Sequence, residues 1–466
     1  MSFASMREVL LGGGGAFTPK IFSGQEVSGL IREALHVCDK WHKRHCPLQA
    51  PIVLSTVLAM SLFRSSSIVN VFRRVLDAIR GRRGVRLDGV TPEALYKARA
   101  RLGLEPLRHL ALTLGRHSVP QRSFMGFIPC AIDGVSMNLP DTPGNDAEFG
   151  RPTASRGETA FPQIKGTALI YTETHSFIDC EWGRWNASEL VGAERLLKHL
   201  DARHLVFLDR RYTKCDLWFS MLDRGVHFVH RLSGSYKPKI TRCLGAGDYL
   251  VEVERHVRLP LEDGKRNCKR RRESRTLRML EYQVGDNERV CLLTDLVEAK
   301  WYPARELAIG YHHRWEIENA LDEGKTHLHG VLHGTLDTVF RSQTPTGIYQ
   351  EAWAMLATYN LVRGLIAEAG TCYNIPPLEI SFVDTLEVLR LALPQLQSCP
   401  PRLHKSIYQR MLCDIASCRL TRPRRCRSVP RVVKQKIGNF RLKKPHHKAT
   451  TVDYRAEFRL VERNTA

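Results

Sequence analysis

Apolar positions follow two rhythms along this chain, and the change from one to the other divides it. Over Gln25–Lys43 and Ala50–Arg80 apolar residues recur three and four apart, which predicts helices, and Gly81–Gly84 ends the second pattern. Thr91-Pro92-Glu93 then reads as a helix start, so residues 1–117 are expected to be helical. From about Phe124 the period shortens. Phe127–Ile132 is a short apolar run ending on Asp133, and Thr167–Tyr171 and Ser176–Trp182 flank Thr172–His175 as in a hairpin. Glu189–Leu200 is helical, and His204–Leu208 has the continuous apolar character of a strand buried on both faces. That run ends on Asp209; a helix (Lys214–Arg224) and a short strand (Val226–His230) follow. Strands alternating with helices predict an α/β fold. Both aspartates are expected just past the end of a buried strand, where sheet-based active sites tend to lie.

Residues 232–300 break the rhythm. Short β-like pieces at Tyr249–His256, Leu277–Gln283 and Val290–Leu296 predict a mostly β insertion. A long helix is expected from near Arg305 to about Leu328, with helix continuing to Gly370 and a Pro- and Arg-rich tail of weak periodicity after Cys399.

Charge sharpens this outline. The 466 residues carry 70 Lys and Arg against 48 Asp and Glu, a formal charge of +22. Residues 401–450 hold fifteen of those cations and one acid, Asp414. A second run, Lys265 to Arg278, holds eight against Glu273 alone. Clustered basic charge is the footprint of a polyanion, and nucleic acid fits it better than a solvated tail or a membrane surface. In the segment after Thr91, Lys97, Arg99 and Arg101 fit either phosphate contacts or a solvated face. The apolar run Pro51–Phe63 is too short to span a bilayer and carries Ser55, Thr56 and Ser61, so no membrane association is expected. Thirteen scattered cysteines suggest reduced thiols; Cys413, Cys418 and Cys426 near His404, His446 and His447 lack the paired spacing of a zinc site.

The segment Tyr311–Lys325 holds the most informative geometry. At 100° per residue, with Tyr311 at zero, Arg314, Glu318 and Lys325 fall at about 300°, 340° and 320°, all four within about 60°. An adjoining stripe of Ile317, Ala320, Leu321, Gly324 and Leu328 suits packing on a sheet. Glu323, at about 120°, faces away from this arc and is expected to tolerate Gln. A salt-bridged surface helix is the plain alternative. If the helix packs beside the sheet, however, Asp133, Asp209 and Glu318 converge, and three such carboxylates repel unless divalent metal binds. Hard oxygen donors suit Mg²⁺ or Mn²⁺, and two ions could clamp a phosphodiester.

The spacing Tyr311-x2-Arg314-x3-Glu318-x6-Lys325 resembles the signature of the insertion-element-four family of bacterial DDE transposases. Ile132-Asp133-Gly134 with Leu139–Pro143, Asn145 and Phe149-Gly150 resembles the family's first acidic block, and Leu208–Tyr212 its second. Gln350-Glu351 and Tyr359–Arg363 are similar to its following helix, and Ala98–Gly103 to its N-terminal region. Arg211 and Val135 depart from its commoner Gly and Thr beside the acids.

The resemblance implies a helical N-terminal DNA-binding domain (1–117) and an RNase H-like core in two parts (118–231 and 301–370). Between them lies a β-rich insertion (232–300), and a basic C-terminal region (371–466) would contact DNA or a partner. It implies cut-and-paste transposition by hydrolysis and strand transfer at terminal inverted repeats. Asp133, Asp209 and Glu318 would be the catalytic, metal-binding triad, holding two Mg²⁺ or Mn²⁺ ions; Tyr311, Arg314, Lys325 and Arg210 would bind DNA. Expected partners are double-stranded inverted-repeat and target DNA and a second copy of the chain in the synaptic complex, in a bacterial cytoplasm at the nucleoid. Three rivals stand: a catalytically inactive transposase-derived DNA-binding protein, a tyrosine recombinase using Tyr311, and a zinc-finger regulator.

Overall fold

The computed structural model describes residues 27–41, 48–80, 90–120, 122–154, 157–258, 270–285, 289–328, 340–420 and 457–462. In chain order the helices begin with α1 (Val27–Val37), α2 (Ala50–Leu62), α3 (Ile68–Arg80), α4 (Pro92–Leu102) and α5 (Glu105–His117). Then come β1 (Ile128–Asn138), α6 (Pro143–Phe149), β2 (Gln163–Tyr171), β3 (Phe177–Arg184), α7 (Glu189–Leu196), β4 (His204–Leu208), α8 (Cys215–Asp223) and β5 (His227–Arg231). Strands β6 (Lys239–Gly245), β7 (Asp248–Arg258), β8 (Arg270–Val284) and β9 (Val290–Thr294) follow, then α9 (Ala304–Gly310), α10 (Trp315–Asp322), α11 (Pro345–Tyr373), α12 (Phe382–Ser398), α13 (His404–Ser417) and β10 (Phe458–Leu460). The expected α/β class is observed.

The chain forms two compact units. The first gathers residues 1–121, 132–199 and 316–420. Here β3, β2 and the later part of β1 lie side by side. Helix α5 crosses β3 so closely that a Cβ on Gly115 would stand 2.2 Å from the Phe177 carbonyl oxygen. The long α11 is buried over most of its length and packs on α2, α5 and α13. Every residue of α2 is buried, which explains its uninterrupted apolar run, and the Thr56 hydroxyl is satisfied by the Ile52 carbonyl. The single pattern expected over Ala50–Arg80 is two helices, broken where the Arg64 and Ser66 carbonyls turn to the Arg341 guanidinium. At α4 the expected start holds: Thr91 caps it by accepting from the Ala94 amide.

The second unit holds residues 122–131, 200–315 and 421–466. The first four residues of β1 pair in parallel with β4, and β4 with β5. Strand β9 then continues the sheet antiparallel to β5, followed by β8, β7 and β6. The expected β pieces of 232–300 therefore extend this sheet, and β10 returns from the end of the chain to pair with β8.

Four expectations change. Asp133 lies inside β1 and not beyond a strand end, because the strand runs on to Asn138 after its pairing with β4 stops at Ala131. The basic run is partly neutralised within the fold: Arg272 pairs with Glu254 and Arg275 with Asp223, while Arg278 is fully buried on Asp248 at 2.6 Å. Lys265, Arg266 and Lys269 lie outside the described residues. Residues 404–417 of the basic tail are helical, with Tyr408, Met411, Leu412 and Ile415 buried, whereas 421–456 lie outside the described residues. Last, the helix expected over Arg305–Leu328 changes pitch: Tyr311–Arg314 is a 3₁₀ turn, and Glu323–Leu328 after α10 is a π-helix. No helix among the described residues is long and apolar enough to cross a membrane.

Candidate active site

In the first unit, Asp133 and Gly134 on β1 face α10 and the π turn across an open cleft of about 270 Å³. Asp133, Ser136, Glu318, Leu321, Asp322 and Lys325 line it. Asp133 Oδ1 accepts from the Gly134 amide at 2.7 Å. A Cβ at residue 134 would meet the Glu189 carboxyl carbon at 2.5 Å, so a larger residue would push Glu189 away from its partner Lys165. Lys325 Nζ donates to the Ser136 carbonyl oxygen at 3.0 Å, which ties the π turn to β1 beside both acids. Asp322, unassigned by the sequence reading, joins this wall and accepts from the Thr326 hydroxyl at 2.7 Å.

The donors in this cleft fit a hard divalent cation. Mg²⁺ is usually held by one or two carboxylates, with water and substrate phosphate completing its shell. Among the described residues no three His, Cys, Asp or Glu form a metal-binding group by themselves. Asp133 and Glu318 could supply the one or two carboxylates such an ion needs, and Lys325 a cation that suits phosphate.

Asp209 belongs to the second unit. It follows β4 directly and caps the 3₁₀ turn Arg210–Tyr212 by accepting from the Arg211 amide at 2.8 Å, leaving Arg210 exposed on that turn. Behind it stands His230, fully buried, whose Nδ1 accepts from the Trp218 indole at 2.9 Å. Indole nitrogen can only donate, so the imidazole proton sits on Nε2, which donates to the Asp209 carbonyl oxygen at 2.9 Å. Burial lowers the His230 pKa to about 3, which keeps the ring neutral.

Tyr311 and Arg314 lie in this unit too, and both are buried, at 5% and 7% exposure. The Tyr311 hydroxyl donates to the Leu208 carbonyl at 3.2 Å, bracing the strand end that carries Asp209. Burial pushes its pKa up to about 12 against the opposing pull of Arg314, so the phenol stays a donor. The Arg314 guanidinium stands 5.1 Å over the Trp315 ring. His312 is held neutral, its pKa lowered to about 4 by burial and then by His313, Arg314 and Arg231. The structure thus brings Asp133, Glu318 and Lys325 together in one unit, and Asp209, Arg210, Tyr311 and Arg314 in the other.

Several residues behind the first cleft escaped the sequence reading. Glu323 does turn away from Glu318, yet it turns inward: it accepts from the Tyr359 hydroxyl at 2.7 Å and pairs with the buried Arg363. Those inward contacts predict instead that Gln is poorly tolerated, since it would strip a buried guanidinium of its counter-charge. Other motif residues are joints. Arg99 donates to the Gln350 side-chain oxygen at 3.2 Å, while Gln350 donates back to the Arg99 and Gly103 carbonyls at 2.8 Å. Arg99 is thus neither a solvated nor a phosphate-facing residue, whereas Lys97 and Arg101 remain exposed. Asn145 donates to the Pro140 and Ser342 carbonyls, and Asn360 both accepts from and donates to the backbone of Phe177.

Two family models match the chain: Transposase DDE domain over residues 128–361, and Insertion element 4 transposase N-terminal over residues 26–111. The chain is 28% identical over 405 residues to "Transposase InsG for insertion sequence element IS4" of Escherichia coli (strain K12), covering 85% of this chain and 87% of that protein. It is 24% identical over 167 residues to "Putative transposase InsZ" of the same strain, covering 35% of this chain and 55% of that protein. Among solved structures, the piggyBac transposase synaptic complex with hairpin DNA aligns with a TM-score of 0.41 at 12% identity, over 85% of this chain and 84% of that one.

Proposed function

The chain belongs to the insertion-element-four family of DDE transposases, enzymes of DNA transposition, and on that premise we propose cut-and-paste movement of an insertion sequence through cleavage and strand transfer at terminal inverted repeats. The observation that carries the reading is the cleft in which Asp133 and Glu318 stand beside Lys325. Asp133, Asp209 and Glu318 are the metal-holding carboxylates in this proposal, for two Mg²⁺ or Mn²⁺ ions. When bound, such ions activate the attacking oxygen and stabilise the leaving one in an in-line displacement. The chain's own cations do the rest. Lys325 holds a phosphate at the cleft wall, and Arg314 and Arg210 hold phosphates on the side of Asp209 by charge-assisted hydrogen bonds. Tyr311, whose hydroxyl is given to the Leu208 carbonyl, serves the DNA-binding face from behind by bracing the strand end that carries Asp209.

Residues 1–117 serve DNA binding in this reading, and residues 371–466 add DNA or partner contacts. The substrate is double-stranded inverted-repeat and target DNA. A second copy of the chain joins the synaptic complex, in a bacterial cytoplasm at the nucleoid.

The test is strand cleavage of a duplex bearing the inverted repeats that flank the gene. Asp133→Ala, Asp209→Ala and Glu318→Ala are each expected to abolish Mg²⁺-dependent nicking while leaving end binding largely intact, because affinity comes from Lys and Arg. Measurable nicking by any one of them would remove that residue from the triad. Wild-type protein that binds ends but never cuts would favour the inactive DNA-binding descendant, and cutting that resists a chelator would favour the tyrosine mechanism.

A further inference from the structure

Behind Glu318 the first unit holds a buried polar cluster that the transposition chemistry leaves unassigned. His175, at the tip of the β2–β3 hairpin, is fully buried. Its Nε2 lies 2.7 Å from Glu316, and its Nδ1 lies 2.8 Å from the Arg363 guanidinium and 3.3 Å from Glu323. Arg363 also pairs with Glu323 and donates to the Tyr359 hydroxyl at 3.1 Å. Guanidinium can only donate, so Nδ1 accepts and the ring proton sits on Nε2, pointing at Glu316. Asn319 gives that same Glu316 oxygen a second bond, at 3.1 Å.

Glu316 and Glu323 are seven residues apart, two turns along one ridge, and Glu318 lies between them on the opposite side. A helix pinned at both ends of a ridge can neither roll nor slide. The pinning residue also occupies an uncommon backbone: His175 has φ of 60°, a left-handed conformation that residues other than Gly adopt rarely and Asn, Asp and His most often among them. Asn also suits that backbone but cannot reach both Glu316 and Arg363 as the ring does, so His175→Asn removes the contacts while keeping a residue that the conformation accepts.

We propose that His175 is a positioning residue for Glu318: through Glu316 and, by way of Arg363, Glu323, it sets the rotation and height of α10 against Asp133. This rests on the reading that Glu318 is a metal-binding carboxylate. Residues that orient a metal ligand typically change metal affinity 10- to 100-fold when lost.

The full-length protein is tested with a duplex bearing its inverted repeat. Cleavage is followed against Mg²⁺ concentration, Mn²⁺ binding to the protein–DNA complex by loss of the free-ion paramagnetic resonance signal, and end binding without metal. His175→Asn and Glu316→Ala are expected to raise the half-maximal Mg²⁺ concentration and weaken Mn²⁺ binding by about tenfold or more, with end binding within about twofold. Glu316→Gln, which keeps an acceptor for Nε2, should restore most of the metal affinity. Unchanged metal dependence in a folded His175→Asn or Glu316→Ala protein overturns the proposal. So does loss of end binding and melting temperature in both variants together, which would make the cluster a support of the fold alone. Should Glu318→Ala cut as well as wild type, the underlying triad assignment fails instead, and that outcome is visible separately.

Discussion

A buried guanidinium such as Arg363 is stable only while a carboxylate stays beside it, and Glu323 is that carboxylate. Glu323→Gln keeps an acceptor for the Tyr359 hydroxyl but removes the charge. It is expected to lower stability in urea by roughly 3 kcal/mol, and a loss below about 0.5 kcal/mol would mean Arg363 is balanced otherwise. The helical-wheel angle of Glu323 was legible in the sequence; its neighbours were not. A wheel gives direction only, and the groups waiting there arrive from 148 residues earlier, at His175, and 40 residues later, at Arg363. The same holds for His230, an ordinary strand residue in the sequence and the donor behind Asp209 in space. Asp133, Glu318 and Lys325 were readable because acids and a cation at family spacing announce themselves. Asp322 was not, since a helix so rich in acids offers no way to choose among them.

Among the elements, strands buried on both faces were the clearest. His204–Leu208 is bounded as expected because no polar residue interrupts Leu205–Leu208, and all five residues are buried. The helix over 311–328 was the least clear, because a periodicity of 100° per residue presumes one pitch, and this segment uses three. The presumption put Tyr311 and Arg314 on one open ridge with Glu318, whereas both are buried. Contacts between elements leave still fainter marks. Nothing in the pattern of α5 requires Gly115, yet a Cβ there would stand 2.2 Å from the Phe177 carbonyl, an oxygen also held by Asn360 at 2.9 Å. That oxygen is backbone and pinned, so Gly115→Ala should push α5 off β3 at a cost of about 3 kcal/mol. Thermal melting checks this; a melting point within a degree or two of wild type would show that α5 can shift without loss.

Over the whole chain, charge and burial make two further outcomes calculable. His230 is neutral when folded down to about pH 3 and His312 to about pH 4, whereas unfolded histidine takes a proton near 6.5. The unfolded state therefore binds more protons below that value, so stability is present above pH 6.5 and is lost as pH falls. At pH 5 the loss is roughly 2 kcal/mol for each ring, and His230→Gln should flatten the urea stability difference between pH 7 and 5 by about that much. A slope unchanged by the substitution would place the protonation elsewhere. The DNA-binding charge is tested better by substitution than by cutting the chain after Pro400, which would also remove α13 and β10. Changing Arg424, Arg425, Arg427, Arg431 and Lys434 to Gln should make the slope of log K against log salt shallower by as much as about four. An unaltered slope would assign the segment to solubility or protein contacts. The first unit, finally, is discontinuous, with its cleft drawn from residues 133–136 and 318–325. At a synthesis rate of about 5–20 residues per second, the ribosome adds Glu318 roughly ten to forty seconds after Asp133. A nascent or prematurely ended chain can carry both aspartates and still have no cleft, so the cell meets this acidic cleft only once most of the polypeptide has been made.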